Sequence, residues 1–446
     1  MKKLFFTAAI ILSSCLSFSQ NYNDVAVIVN DSSLTSVSIG SYFQTARNIP
    51  AGNMIHIGCS TQEVIDSIEM SSIRGQIESY LITNNLVDSI NYIVTTKGVP
   101  LKVGSGCVLD TIPTATCASV DTELALMLGP LSSEIGQSNG VFNPYFNLNE
   151  NFDRDSLGIY LVMRLDGYTE QYVMDLIDRS GPMTGLNDVS AQTVIDINAT
   201  GAADSNYFDN LMQPAYNFLQ NDSWNVTFET TSDLTINEQN VFGYANIGYG
   251  SFVFPVLNFD WTEGSFGTII MCNSAETFEW NQTISHLLVA DAIAEGATAM
   301  HGYVNCFYTS QALRTGTLFS SYLSDTVNYN LAESYYLSEP YLSWQSVFIG
   351  DPKATVFKDS LANLIENEVP FGFTIYPNPA SSSINIERDR ILEIDISDAL
   401  GKNIHMQILP EGKDEVSINV SSWKRGVYLV RVRSQQGNSI QRLVIK

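Results

Sequence analysis

The sequence predicts an α/β domain with a mostly parallel, doubly wound sheet, followed by a small antiparallel β-sandwich. Between residues 24 and 352, short apolar runs alternate with stretches of helical periodicity, the order that builds parallel sheets through right-handed crossovers. The apolar runs are continuous, as in DVAVIVN at 24–30, which is typical of strands buried on both faces. After residue 372 apolar and polar residues alternate, which predicts half-buried antiparallel strands.

The first half of the α/β domain consists of predicted strands separated by predicted helices. The helices are indicated by apolar residues at spacings of three to five, as at Ile73, Ile77 and Leu81 within residues 63–81. The predicted strands are 24–30, 54–57, 90–95, 158–163, 193–197 and 226–230, and the predicted helices are 36–47, 63–81, 168–178 and 207–219.

The second half continues the pattern and places polar groups at the ends of its strands. The predicted strands are 242–247, 267–271 and 297–300, the helices are 284–295, 309–323 and 331–337, and residues 347–352 close the domain. Three successive strands end in a Gly-Tyr-Gly-Ser segment at 248–251, in Cys272 and in His301. Open α/β sheets bind ligands at the carboxyl ends of their strands, so this edge is the expected site.

Composition restricts the class of partner. The chain has 446 residues, 45% of them apolar, which is enough for two or three folded domains. Its formal charge is −25, with 47 acidic residues against 22 basic ones, so nucleic acid and anionic lipid are not expected partners. No phosphate loop, zinc-ligand spacing or Gly-x-Ser-x-Gly elbow occurs, and no cofactor is predicted. Metal binding is left open.

The N-terminus has the features of a secretory signal peptide over residues 1–19. Lys2 and Lys3 precede an apolar run at 4–12, and small residues at 17–19 place cleavage before Gln20. The run is too short to span a bilayer, so no stable membrane span is predicted. The alternative is a lipoprotein signal with Cys15 as the lipid carrier.

The last segment, residues 372–446, follows a polar linker at 361–371 and carries four short motifs in order. They are Ile-Tyr-Pro-Asn-Pro-Ala at 375–380, Leu-Gly-Lys at 400–402, Gly-Val-Tyr-Leu-Val at 426–430 and Arg-Leu-Val-Ile-Lys at 442–446. Together they resemble the C-terminal sorting domain of type IX secretion, the export route of Bacteroidota. The resemblance implies passage through the outer membrane, with the type IX machinery as partner and a mature protein that is released or held at the cell surface. The alternative is an ordinary β-sandwich accessory domain.

The large domain, residues 20–360, resembles an uncharacterised family of secreted bacterial proteins in the segments 92–101, 164–168, 296–302 and 341–352. The order of its strand endings also resembles the gingipain-type cysteine peptidases, which have a caspase-like fold. That resemblance implies Cys272 at the nucleophile position. The position of the base holds Tyr249, and a phenol of pKa about 10 cannot activate a thiol at neutral pH.

Another histidine could replace the missing base. His301 ends the strand after the one that leads to Cys272, so a Cys272–His301 dyad is the hypothesis for catalysis. Alternatively, Cys272 is a small buried residue or pairs with Cys306, and His301 hydrogen-bonds a loop. The pairing of Cys59 is open, whereas Cys107 and Cys117 bracket a loop that a disulfide could close. His56, His286 and His405 are placed elsewhere: in an early strand, on a helix and in the sorting module, respectively.

Two further groups are candidates for the site. Lys97 directly follows a buried strand, at a position where its ammonium group could bind strand ends or a ligand. The acidic residues Asp260, Glu263, Glu276 and Glu279 occur near Trp261 and Trp280, and carboxylates beside aromatic rings suit sugar binding or hydrolysis. Two functions follow as hypotheses: a non-catalytic surface protein that binds a peptide or glycan, and a secreted cysteine hydrolase that uses Cys272 with His301.

Overall fold

The computed structural model describes most of the chain in two compact units, Met1–Lys358 and Asp359–Lys446. The predicted signal peptide, the linker and Tyr249 lie outside the described residues. Those residues are 21–104, 117–131, 140–148, 150–180, 184–186, 191–197, 205–231, 233–247, 256–280, 286–307, 309–324, 327, 329–358, 373–398, 402–434 and 437–446.

The first unit contains seventeen strands within the described ranges. They are β1 (Val25–Asn30), β2 (Met54–Ile57), β3 (Val64–Ile65), β4 (Tyr92–Thr96), β5 (Lys102–Val103), β6 (Ala118–Ser119), β7 (Val141–Phe142), β8 (Leu161–Leu165), β9 (Thr184–Leu186), β10 (Gln192–Asp196), β11 (Asn225–Glu229), β12 (Val241–Asn246), β13 (Trp261–Ile269), β14 (Ala299–Tyr303), β15 (Tyr341–Leu342), β16 (Ser346–Ile349) and β17 (Val356–Lys358).

Nine α-helices connect these strands in the part of the unit that the structure describes. They are α1 (Leu34–Arg47), α2 (Ser67–Thr83), α3 (Val120–Leu124), α4 (Arg154–Leu157), α5 (Glu170–Arg179), α6 (Ser205–Asn221), α7 (Val289–Glu295), α8 (Thr315–Tyr322) and α9 (Leu331–Ser338).

Ten strands form one sheet in the order β11-β10-β12-β13-β14-β16-β8-β4-β1-β2. All of its neighbouring pairs are parallel except β14–β16, which is antiparallel, with Met300 opposite Ile349 and Tyr303 opposite Ser346. The predicted mostly parallel α/β sheet is therefore confirmed. The sheet nevertheless consists of two parallel halves of opposite direction, so the carboxyl ends of β4 and β8 lie at the opposite edge from those of β12, β13 and β14.

The continuous apolar runs are explained by burial on both faces of the sheet. All six residues of β1 are buried, and so are all five of β4 and of β8. Full burial of a valine or isoleucine side chain contributes about 1.5–3 kcal/mol, so these central strands form the strongest part of the core.

Two predicted helices begin later than their apolar spacing indicates. The helix predicted at 63–81 begins at Ser67, because the Asp66 carboxylate accepts the backbone N–H of Ile68 and of Glu69 and caps the first turn. Ile68, which matched the apolar pattern, is 79% exposed. The helix predicted at 284–295 begins only at Val289.

The second unit is a five-stranded antiparallel sheet made of β18 (Thr374–Tyr376), β19 (Ser383–Asp398), β20 (Asn403–Asn419), β21 (Gly426–Ser434) and β22 (Gly437–Ile445). The alternating runs at 383–386 and 394–396 both belong to the single long strand β19, which has register shifts between them. An isolated bridge between Ala380 and Ile445 brings the two borders of the sheet together. The alternating burial along β21 matches the predicted period of two.

Candidate functional site

Lys97 and Asp166 lie side by side because each directly follows a strand of the same parallel half. Thr96 and Leu165 pair as the last residues of β4 and β8, and the backbone N–H of Lys97 donates to the carbonyl of Leu165 at 2.9 Å. The Lys97 ammonium nitrogen is 3.5 Å from Asp166 Oδ1, and its side chain is only 13% exposed. The position of Lys97 after a strand was predicted from the sequence. Its partner Asp166, which follows the neighbouring strand β8, was not predicted.

The segment after β13 completes the coordination of Lys97. Its ammonium donates to the carbonyl of Phe278 at 3.0 Å and to Glu279 Oε1 at 2.8 Å. Burial disfavours the charged form, but Asp166 and Glu279 outweigh it, so the pKa of Lys97 is raised above its ordinary value. Lys97 stays protonated near neutral pH and is unsuited to act as a general base or amine nucleophile.

The fully buried Arg164 holds Asp166 and the loop after Lys97 in place. The Arg164 guanidinium donates to both oxygens of Asp121, at 2.8 and 3.0 Å, and to Asp166 at 3.3 Å. It also donates to the carbonyls of Val99 and Pro100, at 3.0 and 2.7 Å, which holds the loop after Lys97. Arg164 and Asp166 are thus both part of the site's support, and neither was recognised as such in the sequence.

Glu63 ties a second loop to the segment after β13. Its carboxylate accepts the backbone N–H of Phe278 and the hydroxyl of Thr277, both at 2.6 Å. Burial is the main reason that the pKa of Glu63 is raised. We refer to Lys97, Asp166, Glu63 and Glu279 as the Lys97 cluster.

The Lys97 cluster opens into a cavity of about 730 Å³, called here the Lys97 cavity. Its walls are mostly hydroxyl, amide and charged groups. The lining residues are Ser33, Thr35, Thr61, Gln62, Glu63, Val64, Lys97, Gly98, Val99, Leu101, Asp166 and Glu279.

Gly98 lets the loop pass close to the start of α1. Its φ is +98°, and a Cβ atom there would lie 2.4 Å from the Ser33 hydroxyl oxygen. Ser33 itself caps α1 by accepting the N–H of Ser36. Only glycine fits this position without moving one wall of the cavity.

Trp280 follows the lining residue Glu279 in the chain and is not itself among the residues that line the Lys97 cavity. Its side chain is 49% exposed, and its ring meets the Tyr168 ring edge-on at 5.0 Å between centroids. The Tyr168 hydroxyl donates to Asp291 Oδ1 at 2.6 Å, which fixes the tyrosine under the indole. The acidic residues and tryptophans predicted as one group lie at the two ends of the nine-residue β13. Asp260, Trp261 and Glu263 are at its start, whereas Glu276, Glu279 and Trp280 follow its end.

Cys272 lies just beyond β13 and is bonded to Cys306. In this state it carries no free thiol, which corresponds to the disulfide alternative considered from the sequence. Cys59 is the free cysteine among the described residues. Cys117 is disulfide-bonded as well, and its expected partner, Cys107, lies outside the described residues.

His301 occupies the middle of β14 instead of its end, because the strand continues to Tyr303. It is fully buried, with Nδ1 2.8 Å from the Thr268 hydroxyl oxygen and Nε2 3.8 Å from Glu339 Oε2. Burial lowers its pKa to about 3. The ring nitrogens thus face Thr268 and Glu339, and the structure does not bring His301 together with Cys272 as a hydrogen-bonded pair.

His286 is the histidine that lies near the Cys272 segment. Because α7 begins at Val289, His286 is in the preceding loop, where Nε2 is 3.2 Å from the carbonyl oxygen of Asn273 and 3.8 Å from Glu276 Oε1. Apolar periodicity assigned it to a helix packed on the sheet, which was wrong. Within the described residues, no group of three or more potential metal ligands is close enough to hold an ion.

The comparison with protein families identifies the second unit. Residues 374–446 match the secretion system C-terminal sorting domain. The predicted type IX sorting domain is thereby confirmed, and the chain is exported to the cell surface or secreted by the type IX machinery. No curated protein matches the chain. Among the described residues, no helix is long and apolar enough to cross a membrane.

Solved structures similar to the chain include gingipain-type peptidases, as the order of strand endings predicted. The Arg-specific cysteine proteinase gingipain R matches with 10% identity and a TM-score of 0.44, over 96% of this chain and 99% of that one. The complex of Porphyromonas gingivalis RgpB pro- and mature domains matches with 10% identity and a TM-score of 0.43, over 95% of this chain and 100% of that one. Because both TM-scores are below 0.5, no activity or site residue is transferred from these structures.

Proposed function

We propose that the α/β unit of this exported protein is a binding module, and that its Lys97 cavity holds a glycan without covalent chemistry. The observation that carries the proposal is the combination of a polar cavity with the half-exposed Trp280, which directly follows the lining residue Glu279 in the chain. Sugar rings offer hydroxyl groups for hydrogen bonding, which the cavity can match, and an apolar face for stacking, which the neighbouring Trp280 can match.

The charges of the cavity favour a neutral ligand. Lys97 is neutralised by Asp166 and Glu279, and Glu63 adds a further acidic group. A phosphorylated or sulfated ligand would therefore meet excess negative charge. The hydroxyls of Ser33, Thr35 and Thr61 and the amide of Gln62, in contrast, can exchange hydrogen bonds with sugar hydroxyls.

The hydrogen bonding of the carboxylates favours binding over catalysis. Both oxygens of Glu63 accept bonds from Phe278 and Thr277, and Asp166 accepts from Gly167 and Arg164. A general acid or base must be able to reach its substrate proton, and these two groups are already engaged with the protein. The same bonds make the cavity rigid, which reduces the entropy cost of binding.

Binding of neutral hexasaccharides by the full chain tests this proposal. We expect at least one of maltohexaose, xylohexaose, mannohexaose and chitohexaose to bind in calorimetry, and Trp280→Ala to weaken it at least about tenfold, as expected for loss of a stacking contact of about 1.5 kcal/mol. Phe142→Ala, which removes another exposed aromatic ring from the same unit, should leave the affinity unchanged. Absence of binding at millimolar concentration, or equal effects of the two variants, would contradict the proposal.

The alternative function is a cysteine hydrolase that becomes competent when the disulfide is reduced. One observation favours it: Cys272 is only partly buried, and His286 lies against the adjacent Asn273. In that case Cys272 would act with His286 or, after rearrangement, with His301. The free thiol of Cys59 is a poor competitor, because burial and the nearby Glu69 raise its pKa to about 12.

Thiol labelling separates the two functions. We expect the folded, non-reduced protein to react slowly with iodoacetamide, and mass spectrometry to find Cys272 unmodified because its sulfur is bonded to Cys306. The alternative predicts peptide hydrolysis that appears only with reductant and disappears in Cys272→Ala but not in Cys59→Ala. Rapid alkylation of Cys272 without reductant would show that the bond is not the resting state of the protein.

A further inference from the structure

A second cavity lies between α6, α8 and the loop after β7, and shares no lining residue with the Lys97 cavity. We call it the Arg314 cavity; its volume is about 520 Å³. It combines apolar walls with one cationic side chain. The lining residues are Phe146, Asn147, Leu211, Pro214, Phe218, Arg314, Gly316, Thr317 and Ser320.

No carboxylate of the described residues lies within ion-pair distance of the cation of this cavity, although Arg314 is near enough to the buried Glu339 to oppose the rise in the pKa of that carboxyl group. The Arg314 guanidinium donates to the carbonyls of Ala312 and Ser310, at 2.6 and 2.9 Å. Carbonyl groups orient a guanidinium without neutralising it. The buried arginines Arg47 and Arg164, by contrast, each pair with an aspartate, Asp351 and Asp121.

The remaining charge of Arg314 is unusual in a chain with a net charge of −25. A carboxylate is its natural complement, since the planar fork of a guanidinium matches two carboxylate oxygens. Helix α8 begins directly after Arg314 and has no side-chain cap. The partial positive charge of its N-terminus adds to the positive potential beside the guanidinium.

The apolar side of the cavity is preformed by close packing of α6 on α8. A Cβ atom at Gly316 would lie 2.6 Å from Pro214 Cβ, so the two helices touch at this point. The hydroxyl of Thr315 also donates to the carbonyl of Leu211. The side chains of Phe146, Leu211 and Phe218 line the cavity next to this contact and leave room for an apolar group.

We propose that the Arg314 cavity binds a small amphipathic carboxylate, with the carboxylate on Arg314 and the apolar body against Phe146, Leu211 and Phe218. Two sources share this chemistry: the free C-terminus of a peptide that ends in an apolar residue, and a medium-chain fatty acid. The site is independent of the proposed glycan function, so either can fail without affecting the other.

Four probes test the proposal by calorimetry on the full chain: N-acetyl-Leu-Phe as the free acid and as its amide, decanoate, and decanol. We expect at least one acid to bind and its uncharged counterpart to bind at least about tenfold more weakly, as for loss of a hydrogen bond to a charged group. The acid that binds identifies the source. Arg314→Gln should weaken it to the same extent and Arg314→Lys less, because lysine keeps the charge but not the fork.

Two further variants control for folding and for general electrostatics. Ser320→Phe fills the cavity and leaves Arg314 in place, and should abolish binding with an unchanged circular dichroism spectrum. Arg74→Gln removes the same charge from α2, which does not line the cavity, and should have no effect on affinity. The proposal is overturned if neither acid binds at millimolar concentration, if acid and uncharged probe bind equally, or if Arg74→Gln acts as strongly as Arg314→Gln.

Discussion

Arg164→Met is expected to lower the free energy of unfolding of the α/β unit by about 3–5 kcal/mol, the range for breaking a buried ion pair on one side. The substitution keeps most of the side-chain volume but leaves Asp121 without its two charge-assisted bonds and removes a donor from Asp166. The carbonyls of Val99 and Pro100 lose their donors as well. Most of the loss therefore comes from buried oxygen atoms that remain without partners.

Urea unfolding followed by tryptophan fluorescence measures this effect. Trp224, Trp261, Trp280 and Trp344 lie in the first unit and Trp423 in the second, so the signal reports mainly on the α/β unit. Arg74→Met, which breaks an ion pair within α2, is the matched control and should change the free energy of unfolding by less than about 1 kcal/mol.

A second variant distinguishes the ion pair from simple loss of packing. Arg164→Met combined with Asp121→Asn should recover part of the stability lost in Arg164→Met, because the neutral amide is less costly to bury than an unpaired carboxylate. A loss of less than about 1 kcal/mol in the single variant would mean that water or a rearrangement satisfies Asp121.

Arg164 and His301 also explain why two strands, β8 and β14, continue beyond their predicted ends. Both are polar residues inside buried strands, and the predicted strands stop just before them, at residues 163 and 300. Their partners, Asp121 and Thr268, are 43 and 33 positions away in the chain. A pattern of apolar residues cannot show that a polar side chain is satisfied by a partner so distant, so the residue is interpreted as the end of the strand.

For Lys97, in contrast, the strand end was predicted correctly and the contacts of the side chain were not. Its position at a strand end follows from local sequence, and the structure places it there. Its contact with Glu279 spans 182 positions and depends on how the segment after β13 crosses the sheet edge. The reversal between β14 and β16 is likewise invisible in the order of strands and helices, because parallel and antiparallel neighbours produce the same apolar runs.

Glu339 and His301 form a buried pair that is neutral at neutral pH. Glu339 is fully buried and accepts the hydroxyl of Ser346 at 2.7 Å. Burial nevertheless raises its pKa from 4.5 to about 8 and lowers that of His301 from 6.5 to about 3. The proton thus stays on the carboxyl group, and no ion pair forms across the 3.8 Å between them.

The two groups give stability slopes of opposite sign. Between pH 4.5 and 8 the unfolded chain has released the Glu339 proton that the folded state keeps, so stability falls as pH rises. Between pH 3 and 6.5 His301 is protonated in the unfolded chain and neutral in the folded state, so stability falls as pH decreases. The slopes cancel between pH 4.5 and 6.5, and only that of Glu339 remains between pH 6.5 and 8.

Glu339→Gln is therefore expected to remove the part of the stability loss between pH 6.5 and 8 that the Glu339 carboxyl causes. At about 1.4 kcal/mol per pH unit, the Glu339 carboxyl alone lowers the free energy of unfolding by about 2 kcal/mol between pH 6.5 and 8. Glutamine stays neutral and retains an oxygen for the Ser346 hydroxyl, so the variant's free energy of unfolding should fall less steeply over this range than that of the natural protein. Urea unfolding at pH 6.5, 7.2 and 8.0 measures the slope, with Glu78→Gln in the partly exposed ion pair of α2 as the control that keeps the natural slope. Equal slopes in Glu339→Gln and the natural protein would mean that Glu339 is already ionised in the folded state over this pH range.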